Sequence, residues 1–280
     1  MKRLFILSIA IVLAHTSAYA WWGSEHAAVA QIAENHLTPK AKQLIKEYFG
    51  GRPMAYYASH PDHFRADMLI DAGFEQEDGS RMVAFSHAFY TDENRKPLRT
   101  NRGEDGKLIK NSLYDMERAA KRLRENHETM DAAERLMLLY CIVHSMGDMH
   151  CPMHIELQVD NPTPHGKYRI YYHDGKKKIN KSMHGLWEMR MITGYAPWSY
   201  SDLAEILDTY SKEQIAEVCK GDFYTWGEDA AHSAAIVYNE CKAGSTIHKK
   251  AFQDRFQPLA EELLTKAGYR LAKVFNDILN

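Results

Sequence analysis

Residues 144 to 154 read His144-Ser-Met-Gly-Asp148-Met-His150-Cys-Pro-Met-His154, and this run limits what the chain can fold into more than any other. His144 and Asp148 stand four residues apart, so on a helix their side chains share one face. An imidazole and a carboxylate at that spacing have ligand geometry for a first-row metal. The apolar stretch before them, Leu136 to Val143, reads as a buried helix. A charged Asp and several His at the end of a buried helix are costly unless paired or bound to metal. Pro152 ends the helix, which lets His154 turn back toward the same point. Taken singly, each His reads as an ordinary hydrogen-bonded helix terminus. The run taken whole points to metal.

The N-terminus supplies the second constraint. Residues 1–20 have the make-up of a secretory signal: Lys2-Arg3, an apolar run from Leu4 to Leu13, then Ala18-Tyr19-Ala20 as a small-x-small cleavage site. The apolar core is too short for a membrane anchor. Cleavage after Ala20 makes Trp21 the first residue of a chain running to Asn280 and places the chain outside the cytoplasm, secreted or periplasmic. The new terminal amine would stand five residues before His26. A neutral amine is a competent zinc ligand; the alternative is that Trp21 and Trp22 only plug the core.

Length allows one hydrophobic core for residues 21–280, with neither repeat nor linker to divide it. A net charge of −2 argues against a module gripping nucleic acid through a basic face. It does not exclude a site where metal ions supply the positive charge. Four cysteines in a secreted chain permit disulfides. Cys141 and Cys151, about 15 Å apart along one helix, cannot join. Cys219 and Cys241 flank a helix-turn region and could pair, two buried thiols being the alternative.

The pattern is helical almost throughout. Thr38-Pro39 opens a helix and Gly50-Gly51 closes it. Asp131 with Glu134 resembles a capping box ahead of the long helix ending near His150. Ser201–Tyr210 and Pro258–Leu279 carry helical spacing. Tyr168 to Ile179, around Asp174-Gly175, reads as one short β-hairpin. Residues 92 to 111 read as an exposed loop. The fold expected is all-α, a single mainly helical domain with that hairpin.

More imidazoles and carboxylates fall near helix ends. Asp62 sits in Ser59-His60-Pro61-Asp62-His63-Phe64-Arg65, His87 in Phe85-Ser86-His87-Ala88-Phe89, and His184 stands one helical turn before Glu188. With Trp21, His26, His144, Asp148 and His154 they supply enough ligands for more than one zinc. His60, His63, His150, His165, His173 and His232 read as solvated or hydrogen-bonded. Lys176 to Lys178 and Lys181 read as a solvated hairpin tip, although they could touch a phosphate backbone.

As a set these residues resemble the type I, single-strand-specific nucleases of the nuclease S-one/P-one family, in the phospholipase C/nuclease superfamily. The matching features are a mature N-terminal Trp with His five positions on (Trp21, His26), Asp-x-x-Arg (Asp62, Arg65), an isolated His (His87), and His-x-x-x-Asp followed by His (His144, Asp148, His154). Trp226–Ala234 and Arg270–Asn276 resemble its C-terminal elements. The resemblance spans nearly all of the mature chain. It implies a secreted all-α enzyme with three zinc ions that hydrolyses phosphodiester bonds of single-stranded DNA and RNA. Products would be 5′-phosphorylated, 3′-nucleotides would also be substrates, and the chain would act as a monomer. One zinc would be held by Asp62, His87, His144 and Asp148. A second would share Asp148 and take His26 and the Trp21 terminus. A third would sit on His154, His184 and Glu188, with Arg65 clamping developing phosphate charge. Zinc would lower the pKa of bound water toward about 7.

Three departures stand out. The family's second helical pair is usually His-x-x-x-Asp, where this chain has Glu188. Its Gly-Gly-Asn nucleoside-pocket segment is not evident, with Pro164-His165-Gly166-Lys167 near its place. An acidic residue expected three positions after the isolated His is Tyr90. The zinc-dependent bacterial phospholipases C share the implied fold and use His-x-x-x-Glu, so a phospholipase is the alternative enzyme. A zinc-binding protein that has lost catalysis is the alternative without one. The Trp21–His26 spacing and the Asp62/Arg65 element favour the nuclease.

Overall fold

The computed structural model describes residues 23–62, 87–103, 105–107, 109, 111–157, 168–173, 175–190 and 198–280, with backbone alone for 188–190. Expectations for the signal segment, Trp21, His63, Arg65, His165 and the segment around Gly166 fall outside these residues. The remainder is mainly helical, as the spacing predicts. In chain order run α1 (Gly23–Asn35), α2 (Pro39–Tyr48), α3 (Met54–Tyr57), β1 (Phe89–Tyr90), α4 (Ser112–Asn126) and α5 (Ala132–Met149). A 3-10 turn, Pro152–His154, leads into β2 (Ile155–Glu156). Then come β3 (Arg169–His173), β4 (Lys178–Ser182), α6 (Met183–Arg190), α7 (Tyr200–Leu207), α8 (Lys212–Val218), α9 (Phe223–Glu240), β5 (Thr246–His248) and α10 (Lys249–Leu279). Among the described residues no helix is long and apolar enough to cross a membrane.

Helix boundaries follow the local chemistry. Thr38 Oγ1 accepts from the Ala41 amide with Pro39 in the first turn, and Gly50 and Gly51 carry the chain away at positive φ. Asp131 accepts from the amides of Ala133 and Glu134, but the capping box is only half formed. The Glu134 carboxylate reaches Arg122 instead. α10 begins at Lys249 rather than at Pro258, which lies inside it. Pro258 forfeits one helical bond. Phe252, Phe256, Ala260 and Leu264 bury one face of the helix on both sides of it, and that burial outweighs the loss.

The core gathers where α1 packs against α10, α7 and α3, and α4 against α5. Gly268 sets the closest approach of α10 to α1: a Cβ there would lie 2.6 Å from Ile32 Cβ. The hairpin expected around Gly175 forms, β3 pairing antiparallel with β4 from Arg169–Ser182 to His173–Lys178. β5 adds a parallel strand on the other edge of β3, which the sequence pattern does not announce. β4 runs directly into α6, and β5 directly into α10.

Of the two readings left open for Cys219 and Cys241, the structure shows the thiols: all four cysteines are buried and no disulfide joins any two of them. Cys219 caps α8 and Cys241 caps α9, an 18-residue helix about 27 Å long. Only three residues, Lys220 to Asp222, separate Cys219 from the start of α9, four Cα steps or at most ~14 Å of chain. The two Cα atoms therefore cannot come within the ~7 Å a disulfide needs.

Candidate metal centre

Five separate pieces of chain deliver the candidate ligands to one place. His26 comes from the first turn of α1, Asp62 from helical residues 60–62 that follow the turn after α3, His87 from the segment before β1, His144 and Asp148 from the end of α5, and His154 from the 3-10 turn. His184 joins them from the first turn of α6. Glu188 lies one turn further along α6, which sets its Cα on the His184 face.

A two-residue parallel pairing fixes part of the arrangement. Phe89 pairs with Ile155 and Tyr90 with Glu156. This draws the two chain segments together so that His154 Nδ1 donates to the His87 carbonyl at 2.9 Å. His144 is oriented in the same way, its Nδ1 donating to the Ala58 carbonyl at 2.9 Å. A carbonyl can only accept, so each Nδ1 carries the proton and each Nε2 presents a lone pair when the ring is neutral. Backbone carbonyls thus orient two imidazoles, as outer partners orient histidines in metal sites.

Those lone pairs face anions or each other. His144 Nε2 is 3.2 Å from Asp148 Oδ2 and 3.5 Å from Asp62 Oδ1. His87 Nδ1 lies 2.8 Å and His26 Nε2 3.4 Å from the Asp148 carboxylate, so three imidazoles surround it. His154 Nε2 is 3.1 Å from His184 Nε2. The rings of His26 and His144 stack with centroids 4.2 Å apart, over Gly147.

Burial opposes charge throughout, and the neighbours decide the outcome. Burial would lower the pKa of His144, yet the carboxylates of Asp148 and Asp62 hold it well above the usual range. Burial would raise Asp148, but His144, His154 and His87 hold it well below. Asp62 is held down by His144 against the same opposition. His26 is pushed down by burial and by His144, since two stacked imidazoles cannot both be cations at this distance. The cluster therefore calls for positive charge between the carboxylates.

A metal ion fits that demand. Buried His87 Nε2, His144 Nε2 and Asp148 Oδ1 make no hydrogen bond among the described residues. Two overlapping groups of donor atoms each lie within 4.8 Å of one another: His26, Asp62 and His144, and His87, His144 and Asp148. Nitrogen and carboxylate oxygen at convergent positions suit zinc.

His150, read from sequence as solvated or hydrogen-bonded, makes hydrogen bonds through both ring nitrogens. Its Nδ1 donates to the Met146 carbonyl at 2.8 Å, and its Nε2 accepts from Arg270 at 2.8 Å. Burial, reinforced by Arg270, pushes its pKa down to about 3. Arg270 is the residue that spacing did not single out for a role. It also bonds the Val218 carbonyl and Asp229, tying α10 to the C-terminal end of the helix that carries His144 and Asp148. A lone charge in the apolar run Tyr269-Arg270-Leu271-Ala272 is the signal that could have marked it.

A sequence model of the S1/P1 nuclease family matches residues 21–280. Among curated proteins the chain is similar to nuclease S1 of Aspergillus oryzae, 25% identical over 97% of this chain and 96% of that one. It is similar to endonuclease 2 of Arabidopsis thaliana, 20% identical over 98% and 96%. Endonuclease 1 of the same plant is 23% identical over 51% of this chain and 49% of its own.

Proposed function

This chain belongs to the S1/P1 nuclease family, and from that premise we propose that it is a zinc-dependent endonuclease of single-stranded DNA and RNA. It leaves 5′-phosphorylated products and also acts on 3′-nucleotides. Residues 1–20 are its signal segment, and residues 21–280 form one secreted or periplasmic, monomeric catalytic domain. The observation that carries the reading is the convergence of buried imidazoles and carboxylates on Asp148, with His144 common to both donor groups.

Three zinc ions would be held by Asp62, His87, His144 and Asp148, by Asp148 with His26 and the amine of Trp21, and by His154, His184 and Glu188. Bound zinc supplies Lewis acidity and a nucleophile available at neutral pH. The chain's own groups do the rest. The Ala58 and His87 carbonyls keep His144 and His154 in the tautomer that presents Nε2. Asp148 and Asp62 supply the anionic charge that holds cations in a buried place. Arg65, three residues after Asp62, would clamp charge developing on the phosphate.

The test measures zinc per chain beside hydrolysis of denatured DNA, duplex DNA and phosphatidylcholine. Near three zinc ions with faster cleavage of denatured DNA supports the proposal. The phospholipase reading rests on Glu188 and would be favoured by turnover of the lipid without cleavage of single strands. Zinc binding with turnover of no substrate would favour a protein that has lost catalysis.

A further inference from the structure

One turn up α5 from His144, on the same face, stands Tyr140, as His144 stands one turn from Asp148. Tyr140 is buried and meets Tyr57 of α3 with ring centroids 5.1 Å apart, and His60 at 5.6 Å. Tyr57 in turn meets His60 at 4.9 Å and Tyr56, edge-on, at 4.8 Å. The series ends at the surface: Tyr56 is 52% exposed. The Arg52 guanidinium lies 4.5 Å from its ring centroid.

Core packing accounts for the inner members of this series, because buried aromatics gain by burial and edge contacts. It does not account for a half-exposed tyrosine with a guanidinium against its ring. The position is fixed relative to the candidate centre. Ala58, two residues after Tyr56, holds His144 through its carbonyl, and Asp62 follows in the next turn.

We propose that Tyr56, backed by Tyr57 and His60 and flanked by Arg52, is a stacking platform for one base of a single-stranded nucleic acid whose phosphate lies at the metal centre. The inference deepens the nuclease reading and rests on it. An aromatic face accepts any base; Arg52, whose guanidinium lies over the Tyr56 ring, steadies that ring by cation–π attraction and supplies a counter-charge for the backbone. A base in a duplex cannot reach the platform until it is unpaired and unstacked. The platform therefore adds to single-strand preference without reading sequence.

The test compares a short oligo(dT) with the same backbone carrying abasic sites, using wild-type enzyme, Tyr56→Ala and Tyr56→Trp. Tyr56→Ala is expected to raise KM for oligo(dT) about tenfold. It should leave kcat and the abasic substrate unchanged, because only the base-dependent contact is removed. Tyr56→Trp should restore the wild-type KM. An unchanged KM for oligo(dT) in Tyr56→Ala overturns the proposal. So does an equal loss on both substrates, which would mean a structural role. If wild-type enzyme cleaves neither polymer, the nuclease reading fails, and the platform is judged separately by fluorescence anisotropy with chelator-treated protein. There, oligo(dT) binding weakened in Tyr56→Ala supports the platform, and equal binding overturns it.

Discussion

His144 donates its Nδ1 proton to the carbonyl of Ala58 at 2.9 Å, and this bond decides which way the imidazole shared by both donor groups faces. With Nδ1 occupied, only Nε2 is left to meet Asp62 and Asp148. The chain binds the back of the ring and leaves its front facing the two carboxylates. The same device recurs between His154 and the His87 carbonyl.

Asp148 is where loss should be greatest. Its carboxylate meets His26, His87 and His144 within 3.4 Å. Asp148→Ala removes the anion that two cations would share, so zinc per chain should fall by more than one and hydrolysis by at least ~10³-fold. Metal analysis and rate assay on the same purified variant check this. Wild-type zinc content and rate would refute the bridging role.

Much of this candidate site was legible because its candidate ligands obey local rules. His144 with Asp148, and His184 with Glu188, repeat at helical spacing. Thr38-Pro39 and Asp174-Gly175 mark a helix start and a hairpin by chain chemistry alone. What escaped depends on contacts between distant segments. A two-residue strand such as Phe89–Tyr90 has no period to detect, yet it sets His87 beside His154. Whether Cys219 can reach Cys241 depends on α9 staying straight between them. Arg270 looks like any helical arginine until α8, α9 and the end of α5 close around it.

The acid limit of stability should report on Asp208. Its carboxylate accepts from Asn35 at 3.0 Å, His36 at 2.7 Å and the Tyr269 hydroxyl at 2.8 Å, joining α1, α7 and α10. Partial burial would raise its pKa, but these three donors hold it below the usual range. Between the folded pKa and the unfolded value of about 3.9, the unfolded chain binds the extra proton, so stability rises with pH there. The contribution is complete above about pH 4 and is lost as pH falls through the folded pKa. Asp208→Asn should therefore lower Tm at pH 7 and converge with wild type in strong acid, both measured in chelator. A constant Tm gap across that range would assign the effect to packing instead.

Arg270 should matter for stability through what it leaves behind. Removing it strands the buried His150 Nε2 and takes a donor from the half-buried Val218 carbonyl, while Asp229 is 38% exposed and keeps Lys266 at 3.1 Å. The cost of Arg270→Ala is thus mainly that of these lost donors, about 3 kcal/mol. Lysine cannot reproduce a planar fork reaching three acceptors, so Arg270→Lys should recover little of it. Urea unfolding should show a lower midpoint at unchanged slope for both variants. Wild-type stability in Arg270→Lys would mean that charge alone, not the fork, is needed.

Gly147 gives the sharpest separation of fold from site. In the middle of a helix, Gly to Ala ordinarily stabilises by about 1 kcal/mol. Here a Cβ would fall 2.6 Å from His26 Nδ1 and 2.8 Å from its Cε1, inside any permissible contact. The neighbour that must give way is an imidazole ring, stacked on His144 and 3.4 Å from the Asp148 carboxylate. It is not the flexible end of a long side chain, and α1 behind it is pinned by its packing on α10. Gly147→Ala should therefore fold, with helix content unchanged, while His26 is turned away from the centre. Zinc affinity should drop and hydrolysis should fall about 10²-fold, the range seen when a catalytic geometry shifts by about 1 Å. Circular dichroism beside zinc titration and rate measurement tests both halves. Full activity in a folded Gly147→Ala would show that His26 need not occupy the place the structure gives it.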